Sequence, residues 1–153
     1  MKSIRRAHIV VVAECGRGML LAARLRRMDV AWVMAVNGLD QARRLCQSGA
    51  ADLCLVAFGG CAPDAVPAAG APGRGTAAPS LLLADIVTPH LRKLARRSGY
   101  RAAVPASIVP RLFYRRIGAA LQGRRAARRN ALPRIVPSQR AHRTAELGSP
   151  TLH

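Results

Sequence analysis

The sequence predicts a doubly wound α/β domain built on a parallel sheet. Two observations predict it. The runs His8-Ile9-Val10-Val11-Val12 and Ala51-Asp52-Leu53-Cys54-Leu55-Val56-Ala57 are apolar at nearly every successive position. A strand apolar on both faces belongs inside a parallel sheet that helices cover above and below. Over residues 1–58 such runs alternate with helix-spaced segments across short connections. That alternation is the pattern of consecutive strand–helix–strand units. The chain has 153 residues and is 50% hydrophobic, enough for one domain of this kind plus a tail. Aromatic residues make up only 3%, so the core is aliphatic.

The elements follow in order. His8–Val12 is β-branched and forms the first strand. Leu20, Leu21, Leu25 and Met28 recur at roughly helical spacing, with Arg24, Arg26 and Arg27 assigned to the opposite face. Val30–Ala35 reads as a short strand. Asn37-Gly38 makes the next turn, since both residues tolerate positive φ, and a helix follows through Leu45. Ala51–Ala57 is the next strand. From Gly59 to Pro79 the chain is rich in Gly, Ala and Pro, and Pro63, Pro67, Pro72 and Pro79 rule out an ordinary helix. A loop with at most one broken helical turn is expected there. Thr88 is placed to cap a helix that has Pro89 at its first position, runs to about Ser98 and closes at Gly99. A short strand ends at Val104. The last helix spans roughly Pro110 to Gln122, with Leu112, Phe113, Ile117 and Leu121 inward. Arg124-Arg125-Ala126-Ala127-Arg128-Arg129 then opens a segment with Pro133, Pro137 and Pro150. Its low hydrophobicity and high charge predict disorder, although the Arg block could extend the last helix by a turn or two. Two regions result: a domain over 1–122 and a basic tail over 123–153.

Five segments, in order and in register, carry a family resemblance. Ala13-Glu14-Cys15 follows the first strand, and Ala35-Val36-Asn37-Gly38-Leu39-Asp40-Gln41-Ala42 turns into a helix. The third strand ends at Ala57. Pro79-Ser80-Leu81-Leu82-Leu83 stands where a fourth strand would lie, and Pro105-Ala106-Ser107 leads to Pro110 and the last helix. Over residues 5–121 the chain resembles the receiver domains of bacterial response regulators. The resemblance implies a flavodoxin-like, CheY-like fold: a five-stranded parallel sheet, doubly wound, here with a degenerate third helix.

It also implies a site. A working receiver uses two acids after the first strand to hold Mg²⁺ through oxygen ligands. It uses an Asp after the third strand as nucleophile. A Thr or Ser after the fourth strand bonds the phosphoryl oxygens, and a Lys after the fifth neutralises their charge. Carried over position by position, this chain offers Ala13 and Glu14, then Ala57, Ala84 and Ala106. Only Glu14 keeps a carboxylate, and it could equally ion-pair with Arg17 or accept backbone N–H bonds at the next helix start. Asp85 lies beside Ala84 and reads as a loop-capping residue. Asp52 lies at the far end of its strand, roughly 16 Å from the site. No phosphorylation, metal or cofactor is expected.

Other motifs carry less. Cys15, Cys46, Cys54 and Cys61 have no Cys-x-x-Cys spacing, and His8, His90, His142 and His153 are scattered, so no zinc site is expected. Cys15 and Cys61 fall in loops on one sheet edge and form a candidate redox pair; Cys46 and Cys54 belong to the core. Gly16-Arg17-Gly18 and Gly70 to Gly75 lack the Gly-Lys-Ser/Thr ending of a phosphate loop, although the first could cradle an anion at a helix start. No apolar run approaches the ~20 residues that span a bilayer, and no signal peptide is seen, so a cytoplasmic protein is expected.

The formal net charge is +18, from 25 Lys and Arg against 7 Asp and Glu. It reads either as complementarity to an acidic partner or as an Ala/Arg compositional bias. Residues 124–129 could be a solvated end, a phosphate-backbone contact for nucleic acid, or a dock for an acidic partner or anionic membrane. The aromatic residues that stack bases are missing from the tail. In receivers the helix after the fourth strand, the fifth strand and the last helix form the usual partner surface; here Arg92, Arg96, Arg111, Arg115 and Arg116 would decorate it. The expectation is therefore a stand-alone, non-phosphorylatable receiver-like interaction module in two-component (phosphorelay) signalling, not an enzyme, docking a histidine kinase or regulator. The alternative is a basic nucleic-acid-associated protein. Nothing in the sequence fixes the oligomeric state.

Overall fold

A computed structural model describes residues 4–13, 17–58 and 70–131. A short 3₁₀ turn at Ile4–Arg6 leads into β1 (His8–Ala13), α1 (Arg17–Arg27), β2 (Trp32–Val36), α2 (Leu39–Gln47) and β3 (Leu53–Phe58). Then come β4 (Ser80–Ala84), α3 (Pro89–Arg97), β5 (Ala102–Pro105) and α4 (Pro110–Ala131). The five strands form one sheet in the order β2-β1-β3-β4-β5, parallel at every pairing. This is the doubly wound, flavodoxin-like arrangement that the sequence predicts.

Two cores explain the pattern. Alternate residues of β1, β3 and β4 (Ile9, Val11, Leu53, Leu55, Leu81, Leu83) pack with Leu21 and Leu25 of α1 and with Phe113, Ile117 and Ala120 of α4. The intervening residues (Val10, Val12, Cys54, Val56, Leu82, Ala84) pack with Ala42 and Cys46 of α2 and with Leu91 and Ala95 of α3. Val11, Leu53, Leu55 and Leu82 are wholly inaccessible. Burying each such side chain contributes about 2 kcal/mol.

Local chemistry sets the ends. Thr88 Oγ1 accepts a hydrogen bond from the Leu91 N–H at 3.1 Å, the expected cap of α3, and Gly99 takes φ +91° behind it. Asp52 is tied to β1: its Oδ2 accepts from the His8 N–H at 2.9 Å, and its own N–H donates to the His8 carbonyl at 2.8 Å.

The structure corrects four details. Leu20 is 74% exposed, whereas Arg24 is half-buried, because Arg24 lies one helical turn from Leu21 and Met28 on the inward stripe. Leu112 is 48% exposed; Ala120 fills the inward position instead. The second strand is displaced to Trp32–Val36, and Val30 is buried in the turn before it. Helix α4 runs to Ala131, past the expected end at Gln122, because Arg and Ala propagate a helix and no proline intervenes before Pro133. The loop expected over residues 59–79 falls partly on 59–69, outside the described residues; the chain turns over 72–75 and bends over 76–78, with no helix in 70–79. Among the described residues no helix is long and apolar enough to cross a membrane.

Tyr100 sits in the α2–α3 core, 2% exposed, and its hydroxyl has no hydrogen-bond partner among the described residues. Burial pushes its phenol pKa above the ordinary value near 10, and the neighbouring Cys54 adds to the rise while Arg43 opposes it. The folded state therefore holds this proton more tightly than the unfolded chain. Stability is unaffected below pH 10 and falls as pH rises beyond it. Tyr100→Phe is expected to be neutral or stabilising at pH 7 and to flatten the alkaline loss, read by urea unfolding as a function of pH. Phe113→Ala, which empties a fully buried site, is expected to cost about 4 kcal/mol in the same assay.

Candidate functional site

The parallel register brings the carboxyl ends of the strands level. Ala13 stands beside Ala57, Ala57 beside Leu83, and Ala84 beside Pro105. This edge is where open α/β sheets hold their ligands. A cavity of about 290 Å³ opens there between Ala57 and Leu83 of the sheet, Asp85 and Ala106 of the following loops, and Leu20, Leu21 and Arg24 of α1.

The sequence-derived site residues divide as follows. Ala57 and Ala106 both line this cavity. Ala84 does not: it is buried in the opposite core, with α2 and α3. Side chains alternate along a strand, so the next residue returns to the Ala57 side, and Asp85 lines the cavity where Ala84 was expected. Ala13 is placed by its backbone next to Ala57. Glu14, Cys15, Gly16 and Cys61 lie outside the described residues, so the candidate cation ligand, anion cradle and redox pair do too. Among the described residues no group of His, Cys, Asp and Glu is arranged to hold a metal ion.

Arg24 is the residue that sequence reasoning missed. Its guanidinium donates to the Ala106 carbonyl at 3.1 Å and to the Ile108 carbonyl, and it lies 5.1 Å from the centre of the Phe113 ring. One side chain of α1 thus ties down the loop between β5 and α4. A cation does reach the pocket beside Ala106, but from a different element than the resemblance implies. The available signal was spacing: Leu21, Arg24, Leu25 and Met28 share one helical face.

The chemistry available here is restricted. The methyl of Ala57 cannot attack phosphorus, and the methyl of Ala106 cannot neutralise a phosphoryl group. Asp85 is exposed and is the carboxylate of this cavity among the described residues. Cys54 offers no nucleophile either: its hydrogen bond with Cys46 and its burial both raise the thiol pKa far above the ordinary range.

The second candidate surface lies along α3, β5 and α4. Arg92, Arg96, Arg111, Arg115 and Arg116 are all exposed. Three of them, Arg92, Arg96 and Arg116, rim a groove of about 380 Å³ whose floor is Ala102 to Pro105 with Ile108 and Leu112. Arg111 and Arg115 stand outside it. The exposed Leu112 thus has a place: it forms part of an apolar floor within a basic rim.

No protein-family model and no curated protein matches the chain. Solved structures do. The chain is similar to a pilus assembly-related protein from Burkholderia pseudomallei (TM-score 0.62, 15% identity, covering 80% of this chain and 94% of that one). It is similar to a CheY-like response regulator receiver domain protein from Methanospirillum hungatei (TM-score 0.58, 11% identity, covering 80% and 98%). It is also similar to the BeF3-activated N-terminal receiver domain of Klebsiella pneumoniae RstA (TM-score 0.55, 20% identity, covering 75% and 98%). At these identities the likeness is one of fold, and the fold is that of CheY-like receiver domains.

Arg24→Ala is expected to destabilise the domain by about 2 kcal/mol, through two lost charge-assisted hydrogen bonds and the ring contact. Arg24→Lys should recover little, since an ammonium cannot reproduce the planar fork. Thermal unfolding measures the loss. Hydrogen exchange should localise it to residues 105–109, with the Ile108 amide, which bonds the Pro105 carbonyl, losing protection.

Proposed function

We propose that this protein is a receiver-type interaction module of two-component signalling that works without phosphorylation. The observation that carries the reading is the cavity at the carboxyl edge. It is lined by Ala57 and Ala106 where a receiver needs a nucleophile and a cation, and its loop is held by Arg24. A receiver switches when a phosphoryl group pulls on that loop. Here a permanent guanidinium already holds it, so the fold is kept in one state and acts by docking. The docking face is the groove among α3, β5 and α4. Its Arg92, Arg96 and Arg116 rim favours an acidic partner surface, and its apolar floor favours buried hydrophobic anchors. A kinase or regulator of the signalling system is the class of partner; catalysis is no part of this reading.

Incubation with radiolabelled acetyl phosphate and Mg²⁺, beside an Asp85→Ala variant, tests it. No incorporation in either protein is expected. Label that enters the wild type and disappears in Asp85→Ala would mean that the acceptor has moved to β4 and that the protein still switches.

A second reading rests on the extension of α4. The backbone stays helical through Ala131, so Arg124, Arg125, Arg128 and Arg129 fall on a helix rather than on a loose tail. On this reading the helix binds nucleic-acid phosphates without sequence preference. Replacing the four arginines with alanine preserves helix propensity and removes the charge. If nucleic acid is the partner, affinity for random duplex DNA should fall steeply with salt in the wild type and lose about 3.6 units of log–log slope in the variant, about 0.9 for each arginine. An unchanged slope would count against it.

A further inference from the structure

The amino-terminal edge of the sheet, opposite the alanine-lined cavity, holds a second cavity of about 350 Å³. Arg74 and Arg101 both line it. Arg74 belongs to the turns over residues 70–79, and Arg101 immediately precedes β5. Neither guanidinium has a hydrogen-bond or ion-pair partner among the described residues. Two arginines without an acid beside them thus line one concave space.

Glycines shape the space. A Cβ on Gly99 would stand 3.1 Å from the Arg74 Cγ and Cδ, so the Arg74 stem lies flat across that glycine. A Cβ on Gly123 would collide with the Arg101 guanidinium, which lies against α4 there. Gly73 cannot carry a side chain either, because its Cβ would run into the Ala78 carbonyl. The turn itself is rigid. The Gly73 N–H donates to the buried Ser80 Oγ at 3.0 Å, Thr76 Oγ1 donates to the Gly73 carbonyl at 2.8 Å, and the Ala71 N–H donates to the Ser98 carbonyl at 2.8 Å. The loop's hydroxyls are therefore engaged within the turn. Recognition falls to the two arginines that it and its neighbours position.

We propose that Arg74 and Arg101 form a binding site for the terminal phosphoryl group of a small phosphorylated molecule of nucleotide size. Planar guanidiniums pair with phosphate oxygens through two parallel N–H···O bonds each. A terminal phosphoryl group enters a concave site end-on, which a phosphodiester inside a polymer cannot do. The cavity volume matches a small ligand. The site is separate from the carboxyl-edge cavity and from the α3–β5–α4 groove, so it stands whether or not the signalling reading does.

Calorimetric titration of the full chain with ATP at physiological salt tests the proposal, with inorganic phosphate as competitor. Saturable binding that phosphate displaces is expected. The double variant Arg74→Ala/Arg101→Ala should weaken it by about tenfold or more. The charge-matched control Arg44→Ala/Arg97→Ala, at exposed positions outside the cavity, should change it by less than about twofold. Gly123→Ala separates binding from folding. It favours the α4 helix and so should keep or raise the melting temperature, while its methyl displaces the Arg101 guanidinium and weakens ATP binding. If the double variant does not fold, Gly123→Ala decides. No binding by the wild type at millimolar ATP would overturn the proposal. So would an equal loss in the control pair, which would mean attraction to the overall charge, or ATP binding that phosphate fails to displace.

Discussion

Everything in this fold depends on central strands that are buried on both faces. From Ile9 to Val12 in β1 and from Leu53 to Val56 in β3 neither side meets water, so each successive residue must enter one of two cores. That requirement places α1 and α4 on one side and α2 and α3 on the other. It also fixes the register, because a slip of one residue would exchange the two core sets. The levelled strand ends at Ala13, Ala57 and Leu83 follow from that register, and so does the cavity they border.

Alternation along a strand also decides which residues can meet. Ala84 and Asp85 are neighbours in sequence but belong to opposite sides of the sheet. Only Asp85 joins Ala57 and Ala106 at the cavity. Arg24 adds a cation there by reaching across from α1. Its two carbonyl acceptors belong to the β5–α4 connection.

The charge of the molecule is not spread evenly in consequence. Arg5 pairs with Asp29 at 3.3 Å, but both side chains are largely exposed, and such a pair adds little stability. Arg24 makes its bonds to carbonyls, where partial burial gives them weight. The rims of two further cavities carry arginines instead of acids: Arg92, Arg96 and Arg116 along the α3–β5–α4 groove, and Arg74 and Arg101 at the amino edge. With 7 Asp and Glu in the whole chain, most arginines have no internal acid to pair with. Their charge is directed outward.

The sequence by itself determined the doubly wound sheet, since continuous apolar strands alternating with helical spacing leave few other arrangements. It determined the Thr88 cap and the core positions of Cys46 and Cys54, because each rests on local chemistry or on hydrophobic pattern. It also pointed to Ala57 and Ala106, and both line the cavity at the carboxyl edge. Only the tertiary structure decided that Asp85 takes the place expected of Ala84, that Arg24 turns inward and that Leu112 turns outward. It alone brought Arg74 and Arg101 to one cavity across Gly99 and Gly123. These depend on how a strand's alternation is phased and on contacts between residues as far apart as Arg24 and Ile108. Such contacts have no local signature, because the energy that selects them comes from packing elements together and not from the segments themselves.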